Sequence, residues 1–112
     1  MDVHLQPLRI PTGWLVAFND LREIDPVADS IPEEDHLWFF KEDILQMKQP
    51  RFNRVLDVGW YPSFDLAEGR YRLVVYERDF HGRLLHKFET RDRLVLVTEI
   101  ERLLTAVCSG EP

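Results

Sequence analysis

From Arg70 to Glu77 polar and apolar positions alternate, so that an extended chain puts Tyr71, Leu73 and Val75 on one side and Arg72, Val74 and Tyr76 on the other. Both sides are partly apolar, which predicts a strand in the interior of a sheet. The stretch Asp79-Phe80-His81-Gly82-Arg83 supplies the glycine a hairpin needs, and residues 84–89 return beside the first strand. Upstream, residues 55–60 predict another strand, with Val58 and Trp60 opposite Asp57 and Gly59, closed by Tyr61-Pro62. Near the N-terminus two short apolar runs, 4–10 and 14–18, flank Pro11-Thr12-Gly13 and predict an opening hairpin.

Two stretches carry a helical period instead. Leu96, Val97, Ile100, Leu103, Leu104 and Val107 form one stripe ending at Ser109-Gly110, which predicts a C-terminal helix from about Asp92. The alternative starts that helix at the capping-box spacing Thr98-Glu99-Ile100-Glu101 and leaves 93–97 as a strand. Ser30-Ile31-Pro32-Glu33 has the same spacing, and Leu37, Phe40, Ile44 and Met47 follow at helical intervals up to Pro50. A second helix is expected there, in preference to a buried strand at 37–40 leading into a short helix at 42–48. The expected architecture is α+β, one domain over residues 1–112, with an antiparallel sheet of about four to six strands covered by helices.

Composition narrows the class. At 45% hydrophobic and 30% charged residues, the chain is too apolar for a disordered one and should fold unaided. Its apolar runs fall far short of the roughly 20 residues that span a bilayer, and residues 1–14 show no secretory pattern. Cys108 is the one cysteine, which excludes an internal disulfide and fits a reducing cytoplasm. Its place on the predicted helix favours packing over catalysis, since a reactive thiol needs a base and an electropositive setting.

Charge is uneven. The net charge is −6, yet residues 20–43 alone hold nine acids against two bases, leaving the remainder close to neutral. Such a block repels nucleic-acid phosphates and attracts a basic surface. It is equally what a solvated acidic loop looks like.

Little points to catalysis. The five glycines are isolated, so no phosphate-cradling loop is written in the chain. Asp35-His36 and the pair His81 and His86 match no metal-ligand spacing, and Ser30, Ser63 and Ser109 lack a nucleophile-elbow context. No enzyme, no metal and no cofactor are expected. The densest unusual stretch is Leu56-Asp57-Val58-Gly59-Trp60-Tyr61-Pro62, where Asp57 and Tyr61 are candidate anchors for a partner and Trp60 is better placed to fill a core.

Through GWLVAFNDLREIDP, FFKEDILQ, LDVGWYP and the closing EIERLL, the chain resembles the small acidic immunity proteins of bacterial polymorphic toxin systems. That resemblance implies a cytoplasmic α+β protein that binds and neutralises a cognate, basic protein toxin, with no nucleic acid and no membrane as partner. Glu33, Glu34, Asp35, Glu42 and Asp43 would then attract the toxin, and Asp57 and Tyr61 would anchor it. Two other classes stay open. A small carboxylate-dependent enzyme requires a cleft lined by acids with a histidine and shifted pKa values. A regulatory or chaperone module that takes up a peptide would show an unpaired, uncharged edge strand.

Overall fold

The computed structural model describes residues 3–27, 31–32 and 36–111. Five strands, β1 (Leu15–Asn19), β2 (Leu45–Gln49), β3 (Arg54–Tyr61), β4 (Arg70–Glu77) and β5 (Leu84–Thr90), lie in chain order in one sheet. Every neighbouring pair is antiparallel. A single helical turn, α1 (His36–Phe39), precedes β2, and a long helix, α2 (Arg93–Cys108), follows β5.

Register divides the sheet into two faces. Met47 lies opposite Leu56 and Leu45 opposite Val58; Val58 in turn faces Leu73, and Trp60 faces Tyr71. These side chains are buried in one core cluster with Leu96, Ile100, Leu103, Leu104 and Val107 of α2. The alternation read in the sequence therefore selects the face that the helix covers. Asp92 caps α2, its carboxylate accepting the backbone N–H groups of Leu94 and Val95 at 2.9 and 3.1 Å. At the other end Gly110, with φ of 84°, lets Glu111 N–H reach the Ala106 carbonyl at 2.9 Å, closing a Schellman turn.

Trp60 is the hub of the core. Its ring stands edge-on to Phe40 at 4.8 Å and to Tyr71 at 4.9 Å between centroids, and its indole N–H donates to the Asp65 carbonyl at 2.9 Å. Such edge-to-face pairs add about 0.5–1.5 kcal/mol each beyond area burial. The Arg91 guanidinium lies over the same ring and donates to the carbonyls of Leu66, Ala67, Gly69 and Pro26.

Two expected elements are corrected. Residues 45–49 form strand β2 where a helix through Ile44 and Met47 is expected; Leu45, Met47 and Gln49 are buried at a period of two, and pairing with β3 wins over the helical spacing. Only α1 remains of that helix, and Ser30 and Glu33 of the capping box lie outside the described residues. The opening hairpin is also absent. Residues 4–10 make one isolated bridge, Leu5 with Arg22, and β1 pairs with β2 instead. After the Thr12-Gly13 turn Trp14 is buried and donates its indole N–H to the Leu104 carbonyl at 3.0 Å, while Arg9 N–H binds Glu101. The segment is thereby drawn onto α2.

Residues 41–44 run beside β3, with Trp60 N–H donating to Lys41 O at 2.8 Å and Ile44 N–H to Val58 O at 3.0 Å. Between those bonds the chain crosses Gly59 so closely that a Cβ there would sit 2.1 Å from the Glu42 carbonyl oxygen. Gly59→Ala should therefore cost about 2–3 kcal/mol, as overpacking of a fixed backbone does. Urea unfolding at pH 7 measures it; a loss below about 0.5 kcal/mol would show that the crossing yields freely.

Candidate functional site

The second face of the sheet presents Leu15 and Phe18 of β1, Gln46 and Lys48 of β2, and Asp57, Gly59 and Tyr61 of β3. Arg72, Val74 and Tyr76 of β4 and Lys87 and Glu89 of β5 complete it. Val55 and Val74 are buried at its centre but belong to no part of the helix-side core. Among the described residues no helix covers this face, since α2 packs on the other.

Acidic groups from two separate stretches converge here. The crossing over Gly59 loops Glu42 and Asp43 out onto this face, and the β3 period adds Asp57 and Tyr61. A depression of about 300 Å³ is lined by Phe18, Asp43, Leu45, Gln46 and Asp57. Burial, and then the nearby Asp43 carboxylate, push the Asp57 carboxyl up to about 6, against a hydrogen bond from Gln46 that favours the ionised form. Burial and then the charges of Asp57 and Glu42 raise the Tyr61 phenol, with Arg72 opposing them. The Arg72 guanidinium lies 4.3 Å from the Tyr61 ring centroid and 3.7 Å from Glu89. One phenol thus senses every carboxylate of the site, which shows that the group is compact.

Four of the expected partner-binding residues, Glu42, Asp43, Asp57 and Tyr61, are brought together. Glu33, Glu34 and Asp35 lie outside the described residues. Phe18, Gln46 and Arg72 were not singled out in the sequence, because only the strand register places them beside Asp57. Part of the acidic block serves the fold instead. Burial raises the Asp20 carboxyl, but Lys41 at 2.5 Å and Arg22 at 2.7 Å outweigh it and hold the carboxyl below its usual range. Asp25 pairs with Arg93 at the start of α2.

No histidine lines the depression, and His86 lies on the helix side, 3.1 Å from Glu99. Glu99 in turn lines, with Asp92, a separate shallow pocket of about 380 Å³ on that side. The described residues hold no three His, Cys, Asp or Glu side chains placed to bind a metal ion. No helix is long and apolar enough to cross a membrane among them. Cys108 ends α2 half-buried, with the Gln49 amide 3.5 Å from its sulfur. Comparison of the chain with protein-family models, characterised proteins and solved structures found no match in any of the three.

A raised carboxyl opposes folding once it ionises. Below about pH 4 folded and unfolded chains both hold the Asp57 proton; between there and about 6 only the folded chain does, so rising pH costs stability across that window. Asp57→Asn should add on the order of 1 kcal/mol at pH 7.5, allowing for the screening of a carboxyl that water partly reaches, and nothing at pH 3.5. Paired urea titrations at the two pH values measure the difference; an equal effect at both would rule out ionisation as its source.

Proposed function

We propose that the chain is an immunity protein, which binds a basic cognate toxin in the bacterial cytoplasm through the open face of its sheet. The observation that supports this reading is the convergence of Glu42, Asp43 and Asp57 with Tyr61 and Phe18 on a face that no helix covers among the described residues. Carboxylates of one sign on an exposed face speed association with a basic surface and select against acidic ones. Tyr61 and Phe18 supply the aromatic area on which binding energy concentrates. An arginine or lysine entering the depression would lie between Asp43 and Asp57 and restore the ionised form of Asp57. Binding would then release a proton in mildly acidic solution, so affinity should rise with pH between about 5 and 7.

One observation favours a second reading. β1, with the sequence LVAFN, lies at the sheet edge without a charged residue, which is the feature expected of a regulatory or chaperone module that takes up an extended peptide.

Capture with the tagged protein from cells of the source organism, at low and high salt, separates these. A single basic protein, toxic when expressed alone, released by salt and lost at least tenfold with the charge reversal Asp43→Lys, is the expected result. Capture unaffected by Asp43→Lys and Asp57→Lys would remove the open face as the binding site. No stoichiometric partner would sink the immunity reading.

A further inference from the structure

We infer that in the free protein the outer edge of β1 pairs antiparallel with β1 of a second copy about a twofold axis, joining two five-stranded sheets into one. It draws on the charges of Glu42 and Asp43 but does not depend on what binds the open face.

The two edges of the sheet differ. β5 places His86, Lys87 and Glu89 along its edge, charged and polar side chains that discourage further pairing. β1 contains neither charge nor proline, and Leu15, Val16 and Phe18 are 59%, 46% and 44% exposed. No backbone N–H or carbonyl along its outer side meets a hydrogen-bond partner among the described residues. An apolar edge of this kind recruits another strand. A twofold pair consumes both such edges at once and leaves only the protected β5 edges outermost, whereas a head-to-tail contact would propagate.

Charge favours the antiparallel arrangement. Lys48 lies opposite Leu15, at one end of β1, and Glu42 and Asp43 precede Leu45, which lies opposite Asn19 at the other end. Antiparallel pairing sets the Leu15 end of each copy beside the Asn19 end of the other. Each Lys48 then lies level with the other copy's Leu45 across three strand spacings, roughly 14 Å between backbones, with that copy's Asp43 and Glu42 two and three residues farther along. Over such a distance the attraction is screened by salt, with a Debye length of about 8 Å, so it biases the direction of pairing most at low ionic strength. Parallel pairing would set like ends together. β1 is only five residues long and shifts register between Val16 and Phe18, so the ladder is short. The interface falls below the roughly 1,200 Å² of a stable complex, and a dissociation constant on the order of 10–100 µM is expected. Pairing would bring two acidic depressions onto one continuous surface.

Sedimentation velocity of the full chain from micromolar to several hundred micromolar, with amide hydrogen exchange at both extremes, tests the inference. The expected result is a monomer–dimer equilibrium in which amides of residues 15–19 exchange more slowly at high concentration. Val16→Lys should weaken the dimer at least tenfold and Lys48→Glu several-fold, while Leu84→Lys on the opposite edge leaves it unchanged. Far-UV circular dichroism and thermal melts confirm that each variant folds. A monomer at every concentration would overturn the proposal, as would a dimer indifferent to Val16→Lys or assemblies that keep growing with concentration.

Discussion

The passage of residues 41–44 across Gly59 is the constraint on which both faces of the sheet depend. On the core side it delivers Phe40 against the Trp60 ring and buries Ile44. On the open side it sets Glu42 and Asp43 beside Asp57 and Tyr61. A side chain at position 59 would separate the backbone of this crossing from β3 and disturb both at once. Core packing and the candidate site therefore share one contact, although they lie on opposite sides of the sheet.

The two faces follow opposite physical logic. The helix side buries continuous apolar surface and ties its polar atoms, as in the indole bonds from Trp14 to Leu104 and from Trp60 to Asp65. The open side keeps a carboxyl in a setting that disfavours its charge, next to a second carboxyl. Local groupings that oppose stability are where binding sites tend to be found, because a ligand relieves what the free protein endures. By contrast Asp20, between Lys41 and Arg22, sits in a charge arrangement that favours folding. Carboxylates close together in sequence thus do different work according to what the fold sets beside them.

Where local period and final pairing agree, the sequence was readable. β3 and β4 each carry one apolar set onto the core face, Gly82 marks the hairpin into β5, and the stripe from Leu96 to Val107 belongs to one helix whose cap, Asp92, is visible as a residue type. The segment 37–49 was misread because Leu37, Phe40, Ile44 and Met47 satisfy a helical spacing while Leu45, Met47 and Gln49 satisfy a strand spacing. Only the presence of β3 as a partner decides between them. The N-terminal run misleads in a similar way, since Arg9 and Trp14 bond to α2 and Leu5 bridges Arg22, in place of pairing with a sister strand. At the site, Asp57 and Tyr61 stand out within one short stretch, whereas Phe18, Gln46 and Arg72 become neighbours only through register across four strands. Register is set by long-range pairing, which a single stretch of chain does not encode.

Arg91 shows how an irregular connection is made stiff. Its guanidinium donates to carbonyl oxygens of residues 66, 67 and 69 and of Pro26, while its carbon centre lies over the Trp60 ring at 5.5 Å. The planar guanidinium fork satisfies several acceptors that an ammonium group would serve one or two at a time. The link from β3 to β4 is therefore fastened at three carbonyls by one side chain, which also ties it to Pro26. Mildly acidic surroundings can change the charge of the open face while the frame that presents it keeps its shape.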